Sequence, residues 1–190
     1  MANKSNIKGL IPIGGIYAAG YTGKVRAYVV PATDAVALFL GDAVKLVGNT
    51  AKNETGEDLQ AVTKVTAGAD IPVGAVVGVK PSSDNVNQVY RSASDLRTVF
   101  VCDDPYALFT IQADDVIAAE NIGLNADLSF SSGDTIWGNS GMQLDVATLS
   151  SDSKQLRIID VVPSEDNELG LYTKLIVMFN KHVYKQATGI

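Results

Sequence analysis

One histidine and one cysteine, His182 and Cys102, are the chain's whole supply of imidazole and thiol. A nucleophilic centre of the Ser/His/Asp or Cys/His type needs an imidazole within hydrogen-bond reach of its nucleophile. His182 follows the last expected strand and nothing in the sequence brings it to Cys102, so its expected place is the surface or an interface. Cys102 cannot form an internal disulfide, and its apolar surroundings point to a buried, inert thiol. One imidazole and one thiolate cannot complete a four-ligand zinc site without unusual help from carboxylates. No metal and no cofactor is expected.

Two adjacent carboxylate pairs, Asp103/Asp104 and Asp114/Asp115, stand at the two ends of the segment Ala107 to Gln112. As a strand that segment holds the pairs roughly 20 Å apart. Paired glycosidase carboxylates need roughly 5 to 9.5 Å. The pairs are read as turn and cap chemistry, in preference to a calcium site, which wants oxygen ligands converging from a dedicated loop. No G-x-G-x-x-G, P-loop, G-x-S-x-G or H-E-x-x-H motif is present. Asn53-Glu54-Thr55 matches the glycosylation triplet, which is empty without a secretion signal. Gly41-Asp42-Ala43-Val44 resembles the turns of small barrel domains, including peptidases that pair a serine with a lysine, but any turn entering a strand can look so. The chain is read as a non-enzyme.

The elements that hold these residues are short and extended. Leu96 to Cys102 alternates in the period-2 pattern of a strand, Asp103-Asp104-Pro105-Tyr106 forms a turn, and Ala107 to Gln112 is expected to fold back as the second arm of a hairpin. Further strands are expected at Val25–Val30, Ala43–Val47, Leu59–Val65, Ile71–Val79, Val86–Arg91, Met142–Val146, Leu156–Val162 and Leu171–Phe179. Thr33 to Leu40 is readable as a capped helical turn or a strand, and Gly48 to Asp58 as a hairpin tip. A single helical turn is expected at Val116 to Glu120, capped by Asp114-Asp115. About ten short strands with very little helix define an all-β protein, a β-sandwich or β-barrel, jelly-roll-like or a small barrel plus a sheet. The one candidate boundary, at residues 80–84, would divide the body 25–190 into 25–79 and 86–180.

Residues 1–24 carry five glycines and no sustained periodicity, yet include Ile11, Ile13, Ile16, Tyr17 and Tyr21. Such a segment is too apolar for water and too free to fold alone. It is expected to be an extended arm, separable from a folded body, that orders on its own domain, a neighbouring copy or a larger surface. The sole tryptophan, Trp137, is expected to anchor the core or a loop. The alternative is an aromatic platform for sugars, formed with Tyr90, Tyr106 and the loop around Gly133 to Gly141.

The formal net charge of −6 is unevenly placed. Residues 1–26 hold Lys4, Lys8, Lys24 and Arg26, residues 174–190 hold Lys174, Lys181 and Lys185, and neither stretch has an acid. All 21 acids lie between, against eight bases, leaving that body at about −13. A nucleic-acid binder would carry a basic stripe with interleaved aromatics on the folded domain, so no direct nucleic-acid contact is expected. No apolar run approaches the ~20 residues of a membrane span, and the first residues lack a signal peptide's apolar core. A soluble protein made in a cytoplasm is expected.

The blocks YVVPATDAVALFLGDAVKLVG, VYRSAS, VFVCDDPYALFTIQ, IGLNAD, GNSGMQLD, LRIIDVV and DNELG, in that order, resemble the decoration or cement proteins of tailed-bacteriophage capsids. The similarity runs from about Tyr28 to His182, is most specific at DDPYALFTIQ and GLNAD, and is least distinctive in the arm. The resemblance implies a β-rich, non-catalytic head-stabilisation protein, made in the bacterial host and located on the outer capsid surface of the virion. Its implied partners are the major capsid protein and its own copies, as a homodimer or homotrimer. It would bridge capsomers and stabilise the expanded head. The residues expected to make capsid or subunit contacts are Lys4, Lys8, Ile11, Ile13, Ile16, Tyr17 and Tyr21.

Overall fold

The structure, a computed structural model, describes residues 3–16, 20–83 and 85–186. Its strands are β1 (Ile11–Gly15), β2 (Arg26–Val30), β3 (Ala43–Lys52), β4 (Asp58–Lys64), β5 (Gly74–Val79), β6 (Arg97–Cys102), β7 (Ala107–Gln112), β8 (Asn125–Ala126), β9 (Leu128–Ser129), β10 (Gln143–Leu144), β11 (Leu156–Val161) and β12 (Lys174–Phe179). Single 3-10 turns at Ala119–Asn121, Val146–Thr148 and Val183–Lys185 are the helical elements among the described residues. The protein is all-β. A closed barrel in the order β2-β4-β3-β5-β6 packs against a five-stranded sheet in the order β1-β7-β12-β11-β8, with β9 and β10 as a separate pair.

The period-2 geometry of strands explains how one barrel serves two cores. Val44, Val76, Val99 and Val101 point inward and fill the barrel with Tyr28, Val30, Leu38, Val62 and Val73. Their neighbours Ala43, Ala75 and Cys102 point outward into the second core. There they meet Phe109 and Ile111 of β7, Leu156 and Ile158 of β11, and Leu175, Val177 and Phe179 of β12. The small outward residues let the sheet lie close, and Phe109 and Phe179 meet edge to face at 5.2 Å.

The expected hairpin from Leu96 to Gln112 does not form. Both edges of β6 are taken by β2 and β5, and both edges of β7 by β1 and β12, so neither has an edge left for the other. The turn at Asp104 is present, with the Ala107 N–H donating to the Asp104 carbonyl at 3.1 Å, but it serves as a crossover from barrel to sheet. After β1, the chain builds the barrel from β2 to β6 and returns to the sheet at residues 103–106, not at 80–84.

Other expectations need smaller corrections. Val86–Arg91 is loop, tied by one bridge between Arg91 and Leu38. Residues 33–40 are neither helix nor strand, but irregular chain pinned by bridges at Leu38 and Leu40. Strand β3 runs five residues beyond Val47, to Lys52, so the hairpin tip shrinks to residues 53–57. The short helical turn starts at Ala119, later than expected.

Candidate contact surface

The arm is built into the sheet. The Asn3 amide donates to the carbonyls of Glu168 and Leu171 at 2.7 and 2.8 Å, and its oxygen accepts from Glu168 N–H at 2.8 Å. The Asn6 N–H donates to the Gln112 side chain at 2.7 Å, which donates in turn to Ser5 Oγ. Leu10 is only 1% exposed and belongs to the core between barrel and sheet. Strand β1 then edges the sheet along β7, with a bulge between Pro12 and Gly14 that shifts its register. Residues 3–16 are therefore part of the fold rather than a separable arm.

This anchoring divides the expected contact residues. Lys4, Lys8, Ile11 and Ile16 face outward, the two isoleucines at 39% and 45% exposure, and Ile7 joins them. Ile13 is half-buried. Tyr21 is half-buried beside Cys102, and burial pushes its phenol up to about 12. Tyr17 lies outside the described residues. Asn3, Asn6 and Leu10 were missed as anchors. A buried leucine between a glycine and an isoleucine gives no periodic signal, and an asparagine in an irregular segment gives none of its partners.

The loop from β9 to β10 makes a second exposed feature. Trp137 is 72% exposed and Ile136 77%, against the expectation that the tryptophan anchors a core or loop. Their turn is held from within: Asp134 Oδ1 accepts from the N–H groups of Ile136 and Trp137 at 2.7 and 3.3 Å, and Gly138 N–H donates to the Asp134 carbonyl at 2.8 Å. It is also held from beneath. Gly133 lies against the Phe39 ring, which stacks on Tyr90 with centroids 4.8 Å apart, and Gly138 lies against Val89. Both apolar side chains are thus lifted into solvent by a rigid base. The Tyr106 ring sits under the Lys185 ammonium at 4.8 Å.

Between arm and barrel runs a mostly apolar groove of about 310 Å³, lined by Ile11, Tyr21, Leu40, Val77 and Asn139 among others, with Lys8 the one ionised group of its wall among the described residues. Leu40 and Asn139 also pair as neighbours, so the groove begins where the Trp137 loop ends.

Asp42, Lys64 and Ser140 form a buried polar cluster. Asp42 and Lys64 form a buried ion pair at 3.0 Å. Ser140 Oγ donates to Asp42 Oδ1 at 2.5 Å and accepts from Met142 N–H at 3.0 Å, and Phe39 N–H donates to Asp42 Oδ2 at 2.8 Å. Burial raises the Asp42 carboxyl against the pull of Lys64 and these donors. The serine is 2% exposed, so the group ties the Gly41 turn to the Ser140 segment and offers no reachable nucleophile.

Asp103 Oδ2 accepts from Tyr28 Oη at 2.8 Å and pairs with Arg26 at 3.2 Å. Asp104, Asp114 and Asp115 each accept from backbone N–H groups, of Tyr106, Val146 and Val116. His182 is fully buried within the chain, contrary to its expected place at the surface or an interface. It was hidden from sequence reading because a C-terminal histidine after a strand carries no burial signal. Cys102 is buried, and desolvation raises its thiol. Among the described residues no cluster of three or more His, Cys, Asp or Glu is placed to hold a metal ion, and no helix is long and apolar enough to cross a membrane.

No protein-family model, curated protein or solved structure matches the chain.

Proposed function

We propose that the chain is a structural virion protein, a capsid decoration or cement protein that binds the outside of an assembled major-capsid shell, bridges capsomers and stabilises the expanded head. The observation that carries this reading is the outer face of the arm. Lys4, Ile7, Lys8, Ile11 and Ile16 stand exposed on a segment stitched to an acidic β body. A mixed apolar and basic strip held in one conformation loses little entropy on docking. Each such contact is weak, and repetition over a symmetric lattice makes the sum strong.

The test is co-sedimentation with expanded, undecorated phage heads. Saturable binding at a fixed ratio to the shell subunit, with heads more resistant to heat, is the expected result, and Lys4→Glu/Lys8→Glu lowers occupancy. Absence of binding by the wild-type protein removes the reading. Exposed Trp137 favours a second reading, a carbohydrate- or receptor-binding β module displayed on a phage particle. Binding to a glycan array that is lost in Trp137→Ala would put it first.

A further inference from the structure

We infer that the Ile136–Trp137 tip of one molecule docks into the groove between arm and barrel of a second copy of the same chain. The tip has the character of an interface anchor: two adjacent large apolar side chains, both more than 70% exposed, on a turn fixed by Asp134 and seated on Phe39 and Val89. Anchors of this kind, tryptophan above all, carry most of the energy of protein interfaces when they enter desolvated pockets. The groove is a matching receptor. At about 310 Å³ it lies at the bottom of the roughly 300 to 1,000 Å³ range of small-molecule pockets, a size suited to one or two side chains.

Charge and placement name the occupant. Lys8 is exposed on the groove wall, which carries no acid among the described residues, and Asp134 is exposed at the base of the tip, whose loop from residue 130 to 139 carries no base. Docking the tip brings Asp134 toward Lys8 of the other copy. Tip and groove adjoin through Leu40 and Asn139, so two copies can exchange tips about a two-fold axis, each filling the other's groove. The inference goes beyond the capsid reading and stands without it, since it concerns the isolated protein.

Trp137 is the only tryptophan, so its fluorescence reports this contact alone. The experiment is sedimentation velocity and tryptophan emission on the full-length protein over one dilution series. Expected is a dimer whose emission is blue-shifted, with mass and shift lost together on dilution. Lys8→Glu moves both transitions to higher concentration. Ile136→Ser/Trp137→Ser weakens the dimer roughly thirtyfold or more, the loss expected of two anchors. Because these side chains are exposed in the single chain, circular dichroism of the variants stays that of the wild type. A strict monomer overturns the inference. So does a dimer whose emission stays solvent-exposed, or one that survives loss of both tip residues.

Discussion

Gly9 and Gly41 meet so closely that a Cβ on Gly9 would stand 2.4 Å from the Gly41 carbonyl oxygen, and one on Gly41 would stand 2.2 Å from the Lys8 carbonyl oxygen. Both have positive φ, +68° and +88°, and the Leu10 N–H donates to the same Gly41 oxygen at 2.9 Å. This crossing delivers Leu10 to the core and turns Lys8 outward. The prediction is that Gly9→Ala and Gly41→Ala each cost about 2 to 5 kcal/mol, from left-handed strain plus overpacking. For a chain of this size that lowers Tm by roughly 5 to 20 °C. Gly20→Ala, at φ +78° with nothing within 4 Å of its Cβ, costs only about 1 to 2 kcal/mol. Thermal unfolding followed by circular dichroism compares the three, and equal melting of Gly9→Ala and Gly20→Ala would refute the role given to the crossing.

Arg91 is a second fixed point, fully buried with no exposed guanidinium. It donates to four backbone carbonyls: Val36 at 2.6 Å, Asp95 at 2.7 Å, Asp34 at 2.8 Å and Pro31 at 2.9 Å. Irregular chain has no ladder to satisfy its carbonyls, and one planar fork does so for two loops at once. Arg91→Lys replaces the fork with a compact ammonium of three donors, which cannot span the same carbonyls. It is expected to cost about 2 to 4 kcal/mol, since buried acceptors are left unpaired. Hydrogen exchange should localise the damage to residues 31–40 and 88–96, with the sheet β7-β12-β11 still protected. Uniform loss of protection across the molecule would mean that Arg91 supports the whole fold instead.

What the sequence made legible was the local pattern. Val25–Val30, Leu59–Val65, Leu156–Val162 and Ala107–Gln112 all read as strands because short apolar or alternating runs bounded by turn residues keep that signal in isolation, and the all-β class followed. Pairing was not legible. The Asp103-Asp104-Pro105-Tyr106 turn has hairpin chemistry, but which edges are free depends on β1, β2, β5 and β12, brought in from distant parts of the chain. The far half of β3 was hidden for a different reason. Its residues from Val47 to Thr50 are exposed, so no apolar period marks them as strand. At the contact surface, Lys4, Lys8, Ile11 and Ile16 were legible as apolar and basic residues of a glycine-rich segment. The exposure of Trp137 was not, because the statistics of tryptophan burial point the other way and only the Asp134 turn and the glycines beneath it reverse them.

His182 makes the stability of the fold sensitive to mild acid. Its ring is buried against Phe179 and Tyr184, and its Nδ1 accepts from Tyr184 N–H at 3.1 Å at the start of the turn Val183–Lys185. That turn straps sheet to barrel, with Val183 N–H on the Pro72 carbonyl at 3.0 Å and the Tyr184 hydroxyl 3.0 Å from that of Tyr28. Burial first, and then the charge of Lys185, lower the imidazole from 6.5 to about 4, while the Val73 backbone, Asp103 and Asp104 pull weakly the other way. The unfolded chain therefore binds a proton below pH 6.5 that the native chain refuses. Stability contributed by the neutral ring is complete above pH 6.5, is lost as pH falls toward 4, and changes no further below that. The total is about 3 kcal/mol. Glu54 and Asp70 act in a lower window. Their burial is outweighed by bonds from Thr98 and from Lys45 respectively, so both titrate below their ordinary values of 4.5 and 3.8 and lose their contribution only in stronger acid. Urea midpoints for the wild type should thus fall between pH 6.5 and 5. His182→Asn, which keeps an acceptor for Tyr184 N–H without a titrating ring, should be less stable at neutral pH and nearly flat across the same interval. A wild-type midpoint that does not move there would overturn the role given to His182, and a variant that follows the wild type downward would assign the loss to another group.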